Sequence, residues 1–206
     1  MIGMAGPRWK LAPMVVFGTL AGALVPTAAE AHLVTTGLGP VYDGISHVAL
    51  SPDDLVPALI MALLAGLNGA TAGRRALFAL TAAWLLGGVA GFLVGRPVVP
   101  AVAATGSFLV LGVLTAADRR LSPAIITMFA IAVGLLHGWL NGVSIMDAHR
   151  EALGLAGIVS AIFVLVAIAA AFAVSLRAIW ARVAVRVVGS WVAAIGLLML
   201  GWALRP

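Results

Sequence analysis

The chain has no cysteine, which excludes disulfides, thiolate metal ligation and iron–sulfur clusters. Charge is nearly as scarce. Asp, Glu, Lys and Arg together make up 9% of the residues, against about 25% in a soluble domain. Neither G-x-S-x-G nor H-E-x-x-H occurs, so the hydrolase motifs that name a nucleophile or a zinc site are missing. Asp43, Ser46 and His47 are the residue types of a hydrolytic triad, but Ser and His adjacent in sequence seldom reach its geometry. No enzyme is expected. No internal repeat stands out, so an inverted-repeat transporter has no support from symmetry. The net charge of +5 comes from arginines spread over loops rather than from a basic patch, and nucleic acid is not an expected partner.

What the chain does have is apolar surface. Hydrophobic residues make up 63% of its 206 residues, and the mean hydropathy is +1.17. This is the composition of an integral membrane protein whose surroundings are lipid, with room for a handful of spans of about 20 residues and no sizeable soluble domain. Its seven methionines read mostly as core filler.

The N-terminus has the pattern of a secretory signal. Arg8 and Lys10 precede an apolar run over 11–25, and Ala29 and Ala31 occupy the small-residue positions of an A-x-A cleavage site. Residues 1–31 are therefore expected to be a cleaved signal peptide, with His32 first in the mature chain. A terminal histidine offers an α-amine beside an imidazole, a chelating pair suited to Ni²⁺ or Cu²⁺.

Six apolar stretches follow, at 52–70, 76–95, 98–117, 123–140, 152–176 and 183–204. Ser51-Pro52 and Ser122-Pro123 read as helix starts, with Ser at the N-cap and Pro at the first helical position. The expected architecture is an all-α integral membrane protein: an exported segment over 32–50, then a six-helix transmembrane bundle over 51–206. An exported N-terminus puts Arg74, Arg75, Arg119, Arg120, Arg177, Arg182 and Arg186 on the cytoplasmic side, against Arg96, Arg150 and Arg205 outside. Seven against three agrees with the positive-inside rule. The expected location is a bacterial inner membrane, with both mature termini periplasmic. Glycines at 87, 88, 91, 154 and 157 and the alanine-rich run over 167–173 predict close helix packing.

With charge so scarce, the polar residues near one face carry the functional reading, because ionisable groups in lipid usually mark a path or a site. The segment before the first long span holds His32, Asp43 and His47. Its glycines and proline disfavour one long helix, and its apolar character predicts that it folds back onto the outer mouth of the bundle. In a helix, Asp43 and His47 would share one face as a carboxylate–imidazole pair. Asp53 and Asp54 begin the next helix and read as charges that offset its macrodipole. The second cluster is Gly134-Leu135-Leu136-His137-Gly138-Trp139-Leu140-Asn141-Gly142. His137 falls in the outer third of its span, and Asn141, one turn on, can offer a carbonyl oxygen. Trp139 reads as an interfacial anchor. Asp147, His149 and Glu151 read as a solvated loop. No acid or imidazole lies deep on the cytoplasmic side. Hydroxyls such as Thr105, Ser107 and Thr115 more often bond to their own helix.

At these two clusters the chain resembles the HupE/UreJ family of small membrane proteins associated with nickel supply to hydrogenase and urease. The family's first motif, a His-Pro segment ending in Asp-His, matches Pro40, Gly44 and His47 with one inserted residue. Gly39 stands where the family has histidine and Ser46 where it has aspartate, while Asp43 lies a turn earlier. Its second motif, Phe-His-Gly-x-Ala-His-Gly-x-Glu, keeps His137, Gly138 and Gly142 here, with Asn141 for the second histidine and Ser144 for the glutamate. The resemblance implies a permease for a divalent metal ion, nickel foremost. His32, Asp43, His47, His137 and Asn141 would form a mixed N/O site that cobalt, copper or zinc could also occupy. A membrane-bound chaperone, sensor or assembly partner of a metalloenzyme is the other function of this kind.

Overall fold

A computed structural model of the chain describes residues 35–95, 101–148 and 151–205. The expected signal peptide, His32 and His149 lie outside them. Among the described residues there are seven helices and no strand: α1 Pro40–Leu50, α2 Pro52–Leu67, α3 Ala70–Val94, α4 Ala101–Ala116, α5 Pro123–Asp147, α6 Leu153–Ser175 and α7 Ile179–Ala203. Helices α3, α5, α6 and α7 are long and apolar enough to cross a membrane, as are α1 and α2 taken together. Helix α4 is apolar but shorter.

Each expected apolar stretch contains a helix, with shifted ends. The break expected at Gly73-Arg74-Arg75 falls earlier, at Gly69 (φ +105), so both arginines lie within the first turns of α3. Helix α5 runs past Leu140 to Asp147, which makes Asn141 a helical residue. The segment rich in Gly and Pro contains a helix after all. Pro40 opens it at the first helical position, where a missing N–H costs nothing.

Helices α1 and α2 meet at a bend of 74°. Pro52 forces it. Proline has no N–H for the preceding turn and drives the residue before it into an extended conformation. Ser51 accordingly sits at φ −104, ψ 96. A second Ser-Pro start at Ser122-Pro123 behaves as expected, the Ser122 hydroxyl accepting from Ile125 N at 3.3 Å.

Helix α2 is the hub and touches each of the other six helices. Ala58, Met61, Ala62 and Ala65 on it are wholly buried. Around it the tightest pair is α3 with α5. On α5, Gly134, Gly138 and Gly142 recur every fourth residue and lie against the backbone of Leu80, Trp84 and Gly88 on α3. Small residues at this spacing let helix backbones approach closely in lipid, where no hydrophobic drive joins helices. Helix α6 presents Gly154 and Gly157 to α1, and Gly112 of α4 meets Gly189 and Ala193 of α7.

The two ends of the bundle differ chemically. The α2–α3, α4–α5 and α6–α7 connections and the turns beside them carry Arg74, Arg75, Arg119, Arg120, Arg177 and Arg182. Arg182 Nη2 ties them together by donating to Asp118 Oδ1 at 3.2 Å and the Leu67 carbonyl at 3.5 Å. Nearby, Asn68 Oδ1 accepts from Leu121 N at 2.7 Å. At the opposite end lie α1 and the first turn of α2.

A Cβ at position 142 would overlap the Gly88 carbonyl. Gly142→Ala should therefore destabilise the fold by about 1–3 kcal/mol through forced backbone shifts, read as a lower melting temperature in detergent. An unchanged melting temperature would contradict this packing.

Candidate metal centre

Successive residues on a helix point about 100° apart. Asp53 and Asp54 in the first turn of α2 therefore face different ways: Asp53 is exposed, while Asp54 is 4% exposed. The reading of both as solvated charges at a helix start holds for Asp53 only. Asp54 turns into the bundle, where an isolated carboxylate would be very costly.

Its partners come from the adjoining helices. The last turn of α1 brings His47, whose Nε2 lies 3.3 Å from Asp54 Oδ2. The outer half of α5 brings His137, whose Nδ1 lies 3.3 Å from Oδ1. One turn further along α5, Asn141 Nδ2 donates to Oδ2 at 2.7 Å. The residues of this group are nearly or wholly buried: His47 7%, His137 1% and Asn141 4% exposed.

A second ring of contacts orients these groups. Trp84, wholly buried on α3, donates its Nε1–H to Asn141 Oδ1 at 2.9 Å. Its indole stacks on His137 with ring centroids 5.6 Å apart and 26° between planes. Ser107 on α4 lies 3.0 Å from His137 Nε2. The Ser107 hydroxyl also bonds the Ala104 carbonyl, at 2.6 Å. Ser51, at the bend, lies 3.3 Å from His47 Nδ1. Among the described residues no buried side-chain nitrogen or oxygen lacks a partner.

The glycine pattern of α5 explains how this group assembles. His137 and Asn141 each precede a glycine, Gly138 and Gly142, that presses on α3. The two polar residues therefore lie beside that contact, next to Trp84. Close backbone approach and side-chain placement follow from one four-residue period.

Three expected site residues, His47, His137 and Asn141, are brought together, and the residue that joins them is Asp54. Asn141 enters in a different role from the one its sequence position suggests. An indole N–H can only donate, so Trp84 claims the Asn141 carbonyl oxygen and turns the amide N–H toward Asp54. Asp43 is buried on the same face of α1 as His47, and its Oδ1 receives both the N–H and the hydroxyl of Thr36 at 2.6 Å. Asp147 and Glu151 are exposed, as expected, although Asp147 is the last residue of α5 rather than part of a loop. Trp139 is half-buried, its backbone against Gly87 and Gly91. Among the described residues no three of His, Cys, Asp and Glu surround a common point as a ready metal cage. The two imidazoles instead meet different oxygens of one carboxylate.

Sequence reasoning missed Asp54 and Trp84. The signal for Trp84 was an indole in an apolar mid-span run, where its N–H needs a protein partner. Trp84→Phe keeps the stack on His137 but leaves the Asn141 oxygen unpaired, at a cost of about 1–3 kcal/mol. A double-mutant cycle of Trp84→Phe with Asn141→Leu, read by thermal unfolding, should show coupling of at least about 0.5 kcal/mol. Strict additivity would contradict the hydrogen bond.

Residues 20–199 match the family described as HupE / UreJ protein. It is a family of multi-pass, permease-type membrane proteins related to nickel and cobalt transport, not of enzymes. No curated protein and no solved structure matches the chain.

Proposed function

Because the chain belongs to the HupE/UreJ family, we propose that it is an inner-membrane permease for a first-row divalent transition metal ion. Nickel is the favoured cargo, and cobalt, copper and zinc suit the same mixed N/O donors. The observation that carries this reading is the Asp54 carboxylate held between His47 and His137 inside a bundle of apolar helices. Acids and imidazoles are expensive in lipid and mark ion pathways there.

Both His–Asp contacts span 3.3 Å. Imidazole nitrogens and a carboxylate are donors of the kind that such ions take. The ion would part the imidazoles from the carboxylate and take their place as its partner. Asn141 holds the carboxylate in position meanwhile. A bent helix pair suits such a site, because discontinuous helices build the substrate sites of many transporters. His32 and Asp43 belong to the capture step in this reading, on an exported segment freed by removal of residues 1–31. Counting α1 with α2 as one span, α3 to α7 complete six. The arginine-bearing end then faces the cytoplasm and both mature termini the periplasm.

One observation favours a second reading. Between Asp54 and the arginine-bearing end, α2 presents Ala58, Met61, Ala62 and Ala65 to the interior, an apolar stretch with no obvious relay. A metal-binding chaperone, sensor or assembly partner of a metalloenzyme needs no path across.

Proteoliposomes separate the two. The wild type should accumulate Ni²⁺, while Asp54→Asn and His137→Ala should each lower uptake by at least about tenfold. Saturable binding without uptake would favour the second reading. Neither binding nor uptake of Ni²⁺, Co²⁺, Cu²⁺ or Zn²⁺ would contradict both.

A further inference from the structure

At the arginine-bearing end the chain leaves α6 at Ser175 and enters α7 at Ile179, and Leu176 and Ala178 between them are extended. This corner encloses a crevice of about 480 Å³, within the size range of ligand pockets, about 300–1,000 Å³. Its apolar wall includes Leu63 of α2, Phe172 of α6, and Val185 and Val188 of α7, and Arg177 and Trp180 stand beside it. The crevice opens outward: Phe172 is 55% exposed and Trp180 76%.

Charge distinguishes Arg177 from its neighbours. Arg182 is committed to Asp118, and Arg186 Nε donates to the Ala116 carbonyl at 3.0 Å. Arg177 is exposed and has no ion pair or hydrogen bond among the described residues. We propose that this corner binds an anionic phospholipid, with an acyl chain along Phe172, Val185 and Val188 and the phosphate on Arg177.

Depth, charge and shape agree on this occupant. The 23 residues of α6 rise about 35 Å, slightly more than the ~30 Å hydrocarbon core of a bilayer. Arg177, two residues beyond its end, therefore stands at headgroup level. A guanidinium pairs with phosphate through two parallel N–H bonds. Basic pockets between membrane helices recognise anionic headgroups in this way. Trp180 at the mouth is the residue type enriched at that depth. A zwitterionic lipid also carries a phosphate, but its own ammonium offsets that charge, so an unpaired guanidinium favours a headgroup of net negative charge. The proposal is independent of the metal centre at the other end of the bundle.

Trp180 supplies the test. The full-length protein is reconstituted in phosphatidylcholine vesicles that carry either brominated phosphatidylglycerol or brominated phosphatidylcholine, and tryptophan fluorescence is measured. Phosphatidylglycerol should quench more strongly, and the excess should disappear in Trp180→Phe. In Arg177→Gln the apparent affinity behind the excess should fall about fivefold, the weight of one basic residue at a membrane surface. Arg177→Lys should restore part of it. Arg120→Gln, exposed and outside the crevice, should leave it unchanged. Equal quenching by the two lipids, an excess that survives Arg177→Gln, or an equal loss in Arg120→Gln would overturn the proposal.

Discussion

Asp54 puts a carboxylate into an apolar bundle with 4% of its surface exposed, and the polar residues around it follow from the need to compensate it. Two imidazoles and an amide meet its oxygens. An indole N–H and two hydroxyls then complete the partners of those groups in turn. A buried charge is tolerated only where geometry and hydrogen bonding are both good, and removing one partner leaves the rest stranded. Such a cluster is weak as a source of stability.

The packing makes this cluster possible. Helix α2 touches each of the other six helices, and Asp54 in its first turn meets α1 and α5 directly and α3 and α4 through the partners of His137 and Asn141. The bend at Pro52 turns α1 across the start of α2, which puts His47 beside Asp54 although six residues lie between them. The glycine period of α5 draws Trp84 onto His137 and Asn141. Helix–helix contact and ligand placement are thus two consequences of the same small-residue pattern. Disturbing one should disturb the other.

Much of the fold was legible from hydropathy. Each apolar run became a helix, and the Ser-Pro pairs at 51–52 and 122–123 marked two helix starts. The ends were less legible, because Arg74 and Arg75 are exposed residues of a helix that begins before them, and Asn141 continues a helix whose apolar run has ended. At the site, His47 and His137 were legible as imidazoles in or near lipid. Asp54 was not, because beside Asp53 it looks like an ordinary charge at a helix start, and only the direction in which α2 faces separates the two. The donor role of Asn141 depended on Trp84, 57 residues away in sequence, which no local pattern reveals.

On the proposed reading, the Asp54 cluster is the metal site, closed by its own side chains until an ion separates them. X-ray absorption spectroscopy of the Ni²⁺-loaded protein counts the imidazoles on the metal directly. His47→Ala and His137→Ala should each remove one imidazole from the wild-type count, and Asp54→Asn should weaken loading. A count left unchanged by both histidine substitutions would mean that the Asp54 cluster does not hold the metal.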